Sequence, residues 1–341
     1  MGDRVSGWTE SWNGDKMILT ILGLFFIFFF HEIGHYLAAK AIKVKVDEFS
    51  IGIGGKNLYC KEISGTVYSL KLIFLGGYVK LEDSFRDRSP LTRIFVGLAG
   101  PAASVLFAFL VFTFVSFVGL PELTSKIGSV FPGYPAAQAG MLPGDQVVAI
   151  EGHPVSRWME MISIINAGKD RKLRVTVRRE RSNFDVFVRP VLKEGRGAIG
   201  VKASGESVAT RYGLSSVMQG ARLVGENLKS DFDILKHVVV FKKAGGVAGP
   251  VEILQIGAIQ AGFGIVTFLN LLALLSLSFF VINLFPVPPL DGGAIAIALF
   301  ESAIGRQINR QVEIMVTKVV LSIFVGLLVF NVLSALAKKL I

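Results

Sequence analysis

The sequence predicts a polytopic α-helical membrane protein: about four spanning helices, a membrane-associated β-sheet loop and an inserted extracytoplasmic β-rich domain. Three observations predict it. Of 341 residues, 52% are hydrophobic and only 18% are charged, whereas soluble domains carry roughly 25% charged residues. Uncharged runs recur at lengths that match a hydrocarbon core of about 30 Å. Between two of these runs, over residues 119–204, the hydrophobic stretches shorten and alternate in the manner of strands.

The first span covers about residues 17–39. It opens with Met17 to Phe30, which contains no charge. Its leader mixes Asp3, Glu10 and Asp15 with Arg4 and Lys16, and no A-x-A site follows, so the segment reads as retained. Residues 44–82 are rich in Gly and β-branched residues and alternate, which predicts a small sheet able to dip into the membrane. Ile94 to Val118 supplies the second span. The strands of 119–204 include Gln146–Ile150, Leu173–Val177 and Asp185–Val188, separated by turns at Pro143-Gly144-Asp145 and Glu151-Gly152-His153-Pro154.

Residues 205–262 read as helices of mixed polarity on the membrane surface or against the helical body, interrupted by Lys229, Asp231, Asp233 and Lys236. Ile253 to Leu290 is uncharged, strongest from Phe263 to Phe285, and forms the third span. Val319 to Ala337 forms the fourth. The organisation is therefore 1–118, 119–204, 205–262 and 263–341.

Basic residues in short loops set orientation. Residues 40–93 hold ten Lys and Arg against two in residues 1–16. This places 40–93 in the cytoplasm, and the N-terminus and residues 119–262 outside. The net charge of +10 is spread through loops without an aromatic-basic module. It indicates lipid head groups and no nucleic acid. Cys60 is the only cysteine, which excludes an intrachain disulfide and a Cys-based zinc site.

The chemistry starts at His31-Glu32-Ile33-Gly34-His35, inside the first span. Ionisable side chains are costly in hydrocarbon and are retained there for function. His31 and His35, four residues apart on a helix, share a face, the geometry of two zinc ligands with a glutamate base beside them. A pair of structural histidines is the plain alternative. Catalytic zinc takes three protein ligands and leaves one position open. His153 and His237 fall in the outer segment as surface residues, so the third ligand should be a carboxylate at the same depth. Asp291 is the candidate. It follows the third span in Asn283-Leu-Phe-Pro286-Val-Pro288-Pro289-Leu-Asp291-Gly292-Gly293, where the prolines break the helix. Fourteen helical residues carry His31 about 21 Å from the outer face, and the third span delivers Asp291 to a similar cytoplasmic depth. A helix N-cap is the alternative reading of Asp291.

Two resemblances cover nearly the whole chain. Tyr134-Pro-Ala-Ala-Gln-Ala-Gly140-Met-Leu-Pro-Gly-Asp145, within 127–203, resembles a bacterial PDZ domain that ends in Ile199-Gly200-Val201; such a domain could also be a mere spacer. The H-E-I-G-H motif, the Gly76-Gly77-Tyr78-Val79-Lys80 loop and N-L-F-P-V-P-P-L-D-G-G resemble the bacterial site-2 protease family, in particular regulator-of-sigma-E proteases. The resemblance implies Zn2+ held by His31, His35 and Asp291, with Glu32 as base. It implies that Gly76, Gly77, Tyr78, Val79 and Lys80 pair with substrate, and that Asn283 and Pro288 contact it near the scissile bond. A PDZ peptide groove would lie at Ile199, Gly200 and Val201.

The implied setting is the bacterial inner membrane, and the implied substrates are single-span proteins such as anti-sigma factors or remnant signal peptides, pre-cleaved by a site-1 protease. Ser104 stands where relatives often have Asn, and Ala294 where His is frequent; neither is expected to touch a ligand. Two rival classes remain at this point, a transporter and a catalytically silent membrane scaffold that binds through its PDZ domain.

Overall fold

The computed structural model describes residues 14–168, 171–193, 196–241 and 250–340. It divides into a membrane unit, Met1–Phe117 with Gly213–Ile341, and a β-rich unit, Val118–Tyr212. The uncharged Phe-rich run folds as α1 (Gly14–Ala41), and the second run as α2 (Pro90–Val118). Between them lie β1 (Val46–Ile63) and β2 (Thr66–Leu81).

These two long strands are each used twice. Phe49 pairs with both Val79 and Tyr68, Ser50 with both Tyr78 and Ser69, and Ile51 with both Gly77 and Leu70. Tyr59 to Ile63 then pair back along Leu70 to Thr66. The order across the sheet is therefore 77–81, 46–51, 66–71, 57–63. Among the described residues, the 77–81 segment is an edge, paired on one side only. The sheet packs on α1 through Phe29, Tyr36 and Phe49, whose rings meet edge-on.

The β-rich unit follows. β3 (Leu120–Leu123) pairs with β12 (Ser207–Thr210), and β4 (Ile127–Val130) with β11 (Val201–Ala203). The unit thus runs past residue 204, because the short polar strand at 207–210, silent in hydropathy, closes back on its start. A four-stranded sheet has the order β6 (His153–Pro154), β5 (Gln146–Ile150), β7 (Leu173–Arg179), β8 (Ser182–Val188). β9 (Val191–Lys193) and β10 (Arg196–Ala198) form a small hairpin. Two helices, α3 (Pro135–Gln138) and α4 (Trp158–Ala167), complete it. Alternate residues of β7 (Leu173, Val175, Val177) point into a core with Ile127, Met141, Val147 and Ile150.

The chain then returns to the membrane unit through α5 (Ser216–Phe241), α6 (Pro250–Gly262), α7 (Ile265–Asn283), α8 (Asp291–Ile304) and α9 (Arg310–Leu340). Within the uncharged run 253–290, α6 ends at Gly262 and Gly264, at φ +114°, starts α7 afresh, at the 262/263 boundary expected between the mixed-polarity helices and the third span. Among the described residues, α1, α2 and α7 are long and apolar enough to cross a membrane. The expected fourth span, 319–337, lies within the helix α9, but its side chains at 324, 327, 328 and from 330 onward fall outside the described set.

α5 does not lie free. Leu223, Val224 and Leu228 pack on Phe112 of α2 and Leu277 of α7. Asp231 accepts a hydrogen bond from Ser278 Oγ at 3.2 Å. Glycines permit the closest helix approaches: a Cβ on Gly34 would lie 2.3 Å from the Ala99 carbonyl oxygen, and one on Gly257 2.2 Å from the Thr20 side chain. Small residues at crossings are how helices associate where lipid removes the hydrophobic drive.

Candidate metal centre

Three side chains from two distant helices meet in the membrane unit. His31 and His35 project from one face of α1. Asp291, 256 residues beyond His35 (291 − 35), sits in the first turn of α8. The two Nε2 atoms are 3.3 Å apart; Asp291 Oδ2 is 3.0 Å from His31 Nε2 and Oδ1 is 3.2 Å from His35 Nε2. His31 is buried, and His35 and Asp291 are mostly so.

The chain after α7 explains why Asp291 arrives there. Leu284 to Leu290 turns back on itself, and α8 seats its first turn on that turn. A Cβ on Gly292 would lie 2.2 Å from the Leu284 carbonyl oxygen, and one on Gly293 2.3 Å from the Pro288 nitrogen. Only the glycine pair allows this contact. Asn283, the last residue of α7, is buried, and its Nδ2 has no partner among the described residues.

The opposite ring nitrogens decide the protonation. His35 Nδ1 lies 2.8 Å from the Val96 carbonyl oxygen, which can only accept, so Nδ1 carries the hydrogen. His31 Nδ1 lies 3.0 Å from Ser104 Oγ, and that hydroxyl donates onward to the Gly100 carbonyl at 3.4 Å. His31 Nδ1 is therefore the donor to Ser104. Both Nε2 atoms then present lone pairs to each other and to a carboxylate whose buried Oδ2 accepts no hydrogen bond. Such an electron-rich cluster calls for a cation. Ligand atoms about 2.0–2.1 Å from a tetrahedral ion are about 3.3 Å apart, close to the separations found, and two imidazoles with one carboxylate suit zinc.

The structure also corrects the expectation for Ser104. It touches the His31 ring directly, because α2 presents Gly100 and Ser104, one turn apart, toward α1. A Cβ on Gly100 would stand 2.2 Å from His35 Nε2. Ser276 Oγ of α7 in turn donates to the Ser104 carbonyl at 2.9 Å, and the Phe279 ring meets His31 edge-on. Sequence reasoning missed Val96, Gly100, Ser276 and Phe279. The only signal was the small-residue stripe of α2.

Glu32 stands between the ligands and the sheet. A Cβ on Gly77 would be 2.8 Å from both Glu32 Cγ and the Ser50 carbonyl oxygen. Gly77 thus lies directly against the carboxylate side chain. Gly76 has φ +132°; Tyr78, Val79 and Lys80 continue the edge opposite Ser50, Phe49 and Glu48. Tyr78 is held by Lys71, whose Nζ donates to its hydroxyl at 2.5 Å. Pro288 lies in the turn against Gly293, and Ala294 follows in the first turn of α8.

In the β-rich unit, Ile199, Gly200 and Val201 border a groove of about 360 Å³ opposite Trp158, Ile162 and Ile165 of α4. His153 is exposed there; the side chain of His237 lies outside the described set. Asp145 is fully buried in this unit. Burial pushes its carboxyl up, but the Arg179 guanidinium at 2.7–2.8 Å and the Leu142 amide outweigh that and hold it below the usual range.

A family model described as peptidase family M50 matches residues 19–327. A Campylobacter jejuni protein named as a candidate zinc metalloprotease is 30% identical, over 92% of this chain and 91% of its own. The chloroplastic membrane metalloprotease ARASP of Arabidopsis thaliana is 32% identical, over 87% of this chain and 74% of its own. Among solved structures, the PDZ domain of an SdrC-like protein from Listeria monocytogenes is 21% identical and covers 23% of this chain and 84% of its own, at a TM-score of 0.21.

Proposed function

The chain belongs to peptidase family M50, the site-2 proteases, and we propose that it hydrolyses peptide bonds within membrane-spanning segments at a zinc ion held by His31, His35 and Asp291. The observation that carries this reading is the convergence of two Nε2 lone pairs and a carboxylate within 3.0–3.3 Å, each imidazole fixed by a bond at its other nitrogen. When bound, zinc lowers the pKa of a water to about 7 and polarises the scissile carbonyl.

The chain's own residues do the rest. Glu32, one residue from His31 and outside the ligand set, takes a proton from the attacking water and passes it to the leaving amine. Asn283 Nδ2, buried and without a partner among the described residues, donates to the substrate backbone or to the oxyanion. A helical substrate hides its carbonyls in its own hydrogen bonds and must unwind to react. The free edge at Gly76 to Lys80 takes the unwound segment as an added strand, replacing those bonds in a place without water. Because Gly77 lies against Glu32, the added strand is carried alongside the base.

The proposed topology puts the basic 40–93 loop in the cytoplasm and the β-rich unit outside, in a bacterial inner membrane. Single-span proteins already trimmed outside by another protease are the substrates. The β-rich unit, read as a PDZ domain, filters them by size or docks them in the groove beside Ile199 to Val201. Glu32→Gln tests the assignment: it should abolish cleavage of a single-span reporter in proteoliposomes while zinc stays bound. Cleavage that persists would overturn it.

A further inference from the structure

On the other side of the 46–51 segment from the Gly77 edge, α1 and the sheet enclose a crevice of about 570 Å³. Phe25, Phe29 and Tyr36 line it from α1; Ile51, Tyr68 and Leu70 line it from the sheet. Three of its four side-chain hydroxyls, all but that of Tyr59, are engaged. The hydroxyls of Tyr36 and Tyr68 bond each other at 2.7 Å, and Ser69 Oγ donates to Glu48 at 2.6 Å. The walls therefore offer hydrocarbon, and the volume is that of a ligand pocket.

The crevice has two unlike ends. Phe25 and Phe29 close one. Beyond Tyr36 at the other stands Lys40, its Nζ 5.6 Å from the Tyr36 ring centre and 3.4 Å from Thr66 Oγ1. Among the described residues no carboxylate pairs with this exposed ammonium. An apolar slot with an unneutralised cation at its mouth is complementary to an amphiphile with an anionic head.

We propose that the crevice binds one anionic phospholipid, with an acyl chain along α1 from Tyr36 to Phe25 and the head-group phosphate at Lys40. A substrate strand would join the opposite side of the sheet, at 77–81. Ile51 both lines the crevice and pairs with Gly77. A bound chain thus braces the clamp edge against the helix that carries Glu32. Lys40 lies among the basic residues of 40–93, the side where anionic lipid attracts cations.

Native mass spectrometry of the full chain, titrated separately with phosphatidylglycerol and phosphatidylcholine, tests the proposal. The wild type should retain one phosphatidylglycerol in preference to phosphatidylcholine. Lys40→Glu, on the surface, should cut phosphatidylglycerol retention at least five-fold and spare phosphatidylcholine. Leu70→Trp, which fills the slot, should lower both, and Phe114→Ala on the exposed face of α2 should change neither. Equal retention across all four proteins would overturn the site. So would a photo-crosslinking residue at position 70 that attaches to a single-span protein in place of lipid.

Discussion

The two units of this chain hold themselves together by different means. The β-rich unit gathers its apolar side chains into a core and leaves most of its charges outside, with Asp145 buried against Arg179 as the exception. Its core of Ile127, Val147, Ile150, Leu173, Val175 and Val177 is stabilised by removal of that surface from water. The membrane unit is inverted. Leu91, Phe95, Leu106, Phe114 and Phe117 of α2 are exposed, while His31, Ser104, Ser276 and Asn283 are buried. Its helices are registered by glycine contacts and by polar bonds such as Ser276 to Ser104. What is an ordinary core in one unit becomes the lipid-facing surface in the other. The interior polar positions freed by that inversion are where the metal cluster sits.

That contrast can be broken at chosen points. The largest effect should come from Gly77→Val, whose branched side chain would collide with Glu32 Cγ and the Ser50 carbonyl. Cleavage of a reporter should disappear with zinc still bound, because the collision is with the base and the sheet and not with His31, His35 or Asp291. Gly100→Ala strikes at a ligand instead, where its Cβ meets His35 Nε2. Zinc affinity, measured by competition with a chelator, should fall by about 100-fold, at the upper end of effects seen when a ligand's support is disturbed.

Large-to-small changes in the β-rich unit should act in the opposite sense. Leu173→Ala should cost that unit about 2–5 kcal/mol in denaturant unfolding and leave the zinc content unchanged. Loss of zinc in this variant would show that the units are not energetically separate.

The smallest effect concerns pH. Asp145 has a folded-state pKa below its unfolded value, so the folded unit binds fewer protons than the unfolded chain in the acid range. Its stabilisation is present above the unfolded carboxylate pKa and is lost as pH falls through the folded value. The unfolding temperature of the β-rich unit should fall on acidification, and Asp145→Asn should flatten that dependence.

The same inversion explains what the sequence could reveal. Uncharged runs made α1, α2 and α7 legible, and the costly polar residues within or beside them drew the eye to His31, His35 and Asp291. Alternation revealed β5, β7 and β8. The boundary at 262/263 was legible, but the backbone angle of Gly264 that makes it was not, since hydropathy does not encode one. Ser104, Gly100 and Val96 were equally hidden: two are small residues of common type, and Val96 acts through its carbonyl, which every residue has. The double use of β1 could not be read either, because pairing partners lie in register and not in composition. It is that pairing which leaves residues 77–81 as an edge against Glu32.

The central claim is that residues 256 positions apart form one metal site, and metal content tests it most directly. Wild-type protein purified without chelator should contain one zinc per chain. His31→Ala, His35→Ala and Asp291→Ala should each lose it, and Glu32→Gln should keep it. Full zinc occupancy in Asp291→Ala would contradict the account, because it would leave the carboxylate of α8 outside the site.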